Sequence, residues 1–232
     1  MSRHDNNKKQ LRVGLGMVIA FAVILVIVFM PIFGGKNGLD YLDNLYNAIS
    51  KASAYYIPGL MEEGKSFNDQ KIEAALKLKD KDEAAHAVLL FSAAGAEAVA
   101  NGSDLKITGD LGAILAAGLQ DADDMFHNKG EVLVKRYQGK NERLMVYTWW
   151  VSLKAMQKSL NSQKAFAQAK FVKKVQSKAV EMSYNYYGIE PQGIGQRWGI
   201  VLFSLLFYVV YTMWYGYGVM FIFEGTGYQL EH

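Results

Sequence analysis

Two short patterns in this chain combine a carboxylate with an imidazole at a spacing that one helix face would bring together. Glu83-Ala84-Ala85-His86 and Asp124-Met125-Phe126-His127 each place the acid three residues before the histidine, so both side chains of a pair project from the same side of a helix and could ligate one cation. The chemistry this supports is metal binding, and with two pairs, redox or storage chemistry at a carboxylate–histidine centre. The plain alternative is a solvated helix face. Asp80, Lys81 and Asp82 stand before one pair, and Asp121 and Asp123 before the other.

In Glu83, His86, Asp124 and His127 alone, the chain resembles the ferritin-like di-iron carboxylate proteins, a resemblance that implies a metal site inside a helical bundle. It departs from that pattern by placing its pairs on what read as consecutive helices, and by carrying Asp124 where the family has glutamate. Other motifs fail on residue identity. Asp121-x-Asp123 begins like a calcium loop, but Phe126 occupies the position that needs glycine and no glutamate closes the loop. No nucleophile elbow, phosphate loop or dinucleotide fingerprint occurs in a sensible context, so no nucleophile, base or cofactor pocket is identifiable and catalysis is not the expected activity. The chain has no cysteine, which excludes iron–sulfur clusters, covalent haem, thiolate zinc and disulfides. A cofactor would be held by histidine, carboxylates or packing, and its identity is not specified by the sequence.

The elements that must position these residues are framed by two uncharged apolar runs, 13–33 and 198–223, each long enough to cross a bilayer as a helix. Residues 34–197 between them are as polar as a soluble domain, which predicts water on one side of a membrane for this domain and the other side for segments 1–12 and 224–232. Arg3, Lys8, Lys9 and Arg12 against Asp5 alone mark the first segment as cytoplasmic, so the middle domain is expected outside, most simply in the periplasm of a bacterium with both spans in the inner membrane. A cleaved signal peptide competes with this reading. The first apolar run exceeds a signal core in length, and Pro31-Ile32-Phe33-Gly34-Gly35 offers no small-x-small cleavage site, which favours an uncleaved signal anchor. Leu230-Glu231-His232 matches the start of an expression-tag remnant and carries no functional weight here.

With three prolines and a middle domain rich in Ala, Leu, Lys, Gln, Glu and Met, the expected fold class is all-α: an extracytoplasmic antiparallel helical bundle flanked by two transmembrane helices, with essentially no sheet. Five helical stretches are expected: 39–54; a long one from Asn68 or Asp69 to Val99, ended by Asn101-Gly102-Ser103-Asp104; 110–128, closed by Lys129-Gly130; 141–160; and 163–187, the last two meeting at a weak break near Asn161-Ser162.

Charge divides the middle domain. Residues 34–128 hold eight Lys/Arg against fifteen Asp/Glu, and 129–178 hold twelve against two. The halves would complement each other when packed, or the basic half would face an anionic partner, with Lys170, Lys173, Lys174 and Lys178 forming one helical stripe for lipid headgroups or an acidic subunit. The small net charge and outside placement argue against nucleic acid. The second apolar run is unusually aromatic. Tyr208, Tyr211, Trp214 and Tyr215, with Phe203, Phe207, Tyr217, Phe221 and Phe223, suggest a surface to be packed against by another protein helix, a quinone or a pigment, or alternatively by lipid and the first span. Gly14 and Gly16, and Gly216 and Gly218, would admit close helix contacts.

Three functions fit this pattern. The first is a non-catalytic accessory or scaffolding subunit of a larger membrane assembly, docking through the aromatic helix and the outer domain. The second is a ligand-sensing bundle, whose topology resembles the input half of four-helix chemoreceptors. The third is the carboxylate–histidine metalloprotein.

Overall fold

The computed structural model describes residues 3–227, so Leu230 to His232 lie outside the described residues. The chain divides into two compact units, residues 50–191 and the two flanking segments taken together.

The flanking unit is built on two long helices, α1 (Arg3–Phe29) and α10 (Ile194–Gly225), both long and apolar enough to cross a membrane. They pack along each other through glycine. A Cβ on Gly14 would lie 2.7 Å from Ile222 N and 2.8 Å from Gly218 O, and one on Gly225 would lie 2.5 Å from Leu11 N, so backbone meets backbone where no larger residue fits. Of the two glycine pairs singled out above, Gly14 and Gly218 sit in this seam, while Gly16 and Gly216 have nothing near their missing Cβ. Polar groups inside the hairpin close on it: Tyr211 Oη donates to Phe21 O at 2.8 Å, Trp214 Nε1 to Met17 O at 3.1 Å, and Gln10 Nε2 to Glu224 Oε2 at 2.8 Å. Most other side chains of the pair are exposed and apolar, Val26, Leu206, Val209 and Val210 among them. After α1, Phe33 and Lys36 exchange backbone hydrogen bonds around Gly34 and Gly35, whose φ of 62° and 82° suits a primed turn. Asn37 then caps α2 (Gly38–Ser53) by accepting from Asp40 N.

The middle unit is mostly helical but contains a three-stranded sheet, which corrects the all-α expectation. The stretch read as one helix from residue 68 to 99 is instead β1 (Lys71–Lys77), α4 (Lys81–Ala93) and β2 (Glu97–Asn101), followed by β3 (Asp104–Asp110). The order β1-β3-β2 has β3 antiparallel to both neighbours, so β1 and β2 run parallel with α4 as their crossover. Lys, Ala, Leu and Glu are helix formers, and composition alone favours helix here. What decides is the alternation in β1, where Ala74 and Leu76 are buried against Leu105 and Ile107 while Glu73, Ala75 and Lys77 face out. Asn101-Gly102-Ser103-Asp104 is a hairpin loop and not a helix end. Asn101 pairs with Asp104, and Gly102 at φ 63° takes the first central position that a type II′ turn reserves for glycine.

The remaining helices are α3 (Ile57–Gly64), α5 (Leu111–Phe126), α6 (Gly130–Arg136), α7 (Glu142–Ser162), α8 (Phe166–Val175) and α9 (Glu181–Tyr186), with a π-helical segment, Gln176–Val180, joining the last two. Side-chain caps start three helices of the unit, α4, α5 and α7: Asp80 accepts from Asp82 N and Glu83 N, Asp110 from Ala113 N, and Asn141 from Leu144 N. The break expected near Asn161-Ser162 falls at 163–165, where Lys164 adopts φ 63°. The short helices α3 and α6 were not anticipated. One core runs through the unit, with Phe91 edge-on to Trp149 at 5.4 Å.

Candidate functional site

α7 carries two stripes. Met145, Val146, Trp149, Leu153, Met156 and Leu160 recur at three- and four-residue spacing and are buried, which fixes the rotation of the helix. That rotation leaves Tyr147, Trp150, Val151, Lys154, Ala155, Lys158 and Ser162 as a second stripe facing β1. The two elements are stitched at one end: Ala75 N donates to Ser159 Oγ at 3.2 Å, and Gln163 Nε2 donates to Glu73 O at 2.9 Å. These side chains satisfy Glu73 O and Ala75 N, two backbone groups on the edge of β1 away from β3.

Beside this junction opens a groove of about 700 Å³, lined from β1 and its exit by Ala75, Lys77, Leu78 and Lys79, from α4 by Glu83, and from α7 by Tyr147, Trp150, Lys154, Lys158, Ser159 and Ser162 among others. Its floor is aromatic. The Tyr147 and Trp150 rings lie 6.2 Å apart and within 21° of parallel, and Lys154 Nζ rests 4.8 Å over the Trp150 ring. Trp150 is held from behind by Glu181 Oε2, which accepts from its Nε1 at 3.0 Å, and by buried Gln176, which donates to its carbonyl at 3.1 Å. The π-helical register of Gln176–Val180 spans the step between these two supports. Four lysines line the groove against one acid, Glu83, whose Oε2 accepts from Lys79 N at 2.8 Å, while Lys77 pairs with Asp104 at 3.0 Å. Ammonium groups around a flat apolar floor suit an anionic group attached to an apolar one. The groove lining includes no histidine, so the hydroxyls of Ser159 and Ser162 have no neighbouring imidazole to activate them.

Three titratable groups with shifted pKa values serve the interior of the unit. Asp121, fully buried, accepts from Trp149 Nε1 at 2.6 Å and from Tyr137 Oη and Arg136 Nη1. Burial raises its pKa, against the pull of those three donors, and burial likewise raises that of Tyr137. Lys51 is buried, donating to Asn128 Oδ1, Tyr186 O and Ile189 O at 3.0, 3.1 and 2.6 Å, and burial lowers its pKa while Glu190 opposes. Three acceptors saturate an ammonium.

The carboxylate–histidine pairs do not come together. Asp124 Oδ2 accepts from Arg136 Nη2 at 3.1 Å, His127 caps the end of α5 with Nδ1 2.9 Å from Asp123 O, Glu83 serves Lys79, and His86 lies on α4. Among the described residues no group of three or more His, Asp or Glu side chains is placed to hold a metal ion. The lysine stripe is partly engaged within the unit: Lys174 pairs with Glu63, Lys173 donates to Gln176 Oε1 at 3.0 Å, Lys178 lies 5.3 Å over the Tyr56 ring, and Lys170 is exposed. On α10, Tyr211 and Trp214 face α1 and the Tyr215 ring packs 4.9 Å from that of Phe21, whereas Tyr208 is 68% exposed.

The groove residues Lys77, Lys79, Tyr147, Trp150, Lys154 and Lys158 are absent from the candidates drawn from sequence. A signal for four of them exists: Tyr147, Trp150, Lys154 and Lys158 repeat at helical spacing beside the core stripe. The other two, Lys77 and Lys79, depend on a strand that composition disguises. No protein-family model, curated protein or solved structure matches this chain.

Proposed function

We propose that this protein is a non-catalytic accessory subunit of a larger membrane assembly, anchored by the α1–α10 hairpin and presenting its middle unit, in the periplasm of a bacterium, to an acidic partner. The observation that carries the proposal is the groove between β1 and α7, where four lysines surround a Tyr147–Trp150 floor. Aromatic anchors in a concave site ringed by one sign of charge are how docking surfaces gain affinity and orientation. The exposed face of α10 that carries Tyr208 provides a second contact within the membrane.

The test uses the full chain purified from native membranes in mild detergent. Lys154→Glu with Lys158→Glu should release a stoichiometric partner, weakening its retention about tenfold or more, while Lys154→Arg with Lys158→Arg keeps it. Undiminished retention in the charge-reversed protein would sink the proposal.

A second reading is favoured by the size of the groove, since small-molecule sites span roughly 300–1,000 Å³. A small organic anion with a flat apolar face would then be the ligand, and the chain a ligand-binding module. Titration of the purified chain with such an anion, read by Trp150 fluorescence against a Trp150→Phe control, separates the two.

A further inference from the structure

We propose that the flanking unit holds one anionic phospholipid by its phosphate, in a cavity formed where the chain leaves the first apolar helix and enters the second. The cavity, about 180 Å³, is lined by Lys36, Tyr41, Asn44, Leu45, Gln192 and Arg197. Its two charged residues are both cations. The backbone of Lys36 is anchored by the two hydrogen bonds it exchanges with Phe33 at 3.0 and 3.2 Å around the Gly34-Gly35 turn. Arg197 donates from Nε to Gln192 Oε1 at 2.9 Å, and Gln192 is itself tied by its N–H to Ala48 O at 3.1 Å. The Nε bond orients the guanidinium and leaves its two terminal nitrogens for a phosphate.

Position along the chain supplies the ligand class. Lys36 follows α1 by seven residues and Arg197 stands in the first turn of α10, so if these two helices cross a membrane, as the inference requires, both cations lie at the same bilayer surface. Phospholipid phosphates lie at that depth, and juxtamembrane basic residues are attracted to anionic ones. Exposed Trp198 and the stacked Phe33–Tyr41 pair, at 5.7 Å, are the aromatic groups expected at such a boundary. Tyr41 and Gln192 add neutral polar groups, and Leu45 gives an apolar wall.

The full chain, reconstituted in vesicles of phosphatidylcholine with one-tenth phosphatidylglycerol, then extracted and weighed by native mass spectrometry, should retain one phosphatidylglycerol per chain in preference to phosphatidylcholine. Lys36→Gln with Arg197→Gln should reduce that preference about tenfold or more, and the charge-keeping pair Lys36→Arg with Arg197→Lys should preserve most of it. Each single Gln variant should lose part of the preference, which covers the case where the double variant fails to fold. Glycerol 3-phosphate added to the vesicles should not displace the lipid if the acyl chains contribute, and displacement by it would transfer the site to a free phosphate ester. Equal retention of both lipids by the unaltered chain, an unchanged preference in the Gln variants, or release of the chain from vesicles by alkaline carbonate would overturn the proposal.

Discussion

The phenol of Tyr211 donates to the carbonyl of Phe21 on the facing helix, 2.8 Å away, while the two rings stack at 4.2 Å. A hydroxyl in an apolar hairpin thereby finds its acceptor on a helix backbone, whose carbonyls keep a second lone pair. Trp214 repeats the device on Met17 one turn further. Tyr208, three residues before Tyr211, is 68% exposed, so the aromatic helix has one flank that closes the hairpin and another open to its surroundings.

Tyr211→Phe should therefore loosen the hairpin by roughly 0.5–1.5 kcal/mol, the range for hydrogen bonds between membrane helices. Tyr208→Phe should be silent in the same thermal unfolding experiment on detergent-solubilised protein. Equal losses in the two variants would refute the division of α10 into two flanks.

Glycine positions give a sharper contrast. Gly14→Val forces a side chain into the backbone of Ile222 and Gly218, and should separate α1 from α10 or unfold the hairpin, whereas Gly16→Val meets open space and should leave it intact. Cysteine pairs placed across the seam in this cysteine-free chain report the spacing by cross-linking yield. A Gly14→Val protein that cross-links as well as the parent would show that the seam is not built on that glycine.

How far the sequence revealed this architecture depends on the kind of signal. The two apolar runs were legible because twenty uninterrupted apolar residues have few other uses, and α5 and α7 because Asp110 and Asn141 cap sequences of clear helical period. β1 was not legible: Ala74, Ala75 and Leu76 suit a helix equally well, and only pairing with Leu105 and Ile107, some thirty residues away, settles the matter. The groove inherits that difficulty, since one wall is β1. Of the metal candidates, Asp124 is instead engaged by Arg136 on a short helix that the sequence does not announce.

Asp121 anchors three elements at once, and its loss should be the most costly polar substitution in the middle unit. Asp121→Asn removes the charge opposite Arg136 and one acceptor from Trp149 or Tyr137, at a cost of about 3 kcal/mol. Arg136→Gln should cost less, since that side chain reaches solvent and Asp121 keeps two donors. Chemical denaturation of the two variants ranks them, and a smaller loss for Asp121→Asn would contradict the arrangement.

Tyr55 links stability to alkaline pH. Burial and its 2.6 Å hydrogen bond to Asp123 push its pKa up from 10.0 to about 12. The unfolded chain releases the phenolic proton first, so the stabilisation from Tyr55 is complete below pH 10 and fades as pH rises from there through 12. Tyr55→Phe should flatten the decline of stability across that window relative to the parent. An identical slope in the variant would remove Tyr55 as its cause.

The orientation underlying the proposed function rests on Arg3, Lys8, Lys9 and Arg12, which should hold the first segment in the cytoplasm and place the middle unit outside. Since the chain has no cysteine, Ser103→Cys in the β2–β3 turn and Lys140→Cys before α7 each create a single thiol on the middle unit. Lys140 is exposed, so its variant gives the cleaner label. Both thiols should react with a membrane-impermeant maleimide in cells whose outer membrane alone is permeabilised, and a cysteine at Asn7 should react only after the inner membrane is broken. The reverse pattern would put the basic groove in the cytoplasm and, with it, any acidic partner.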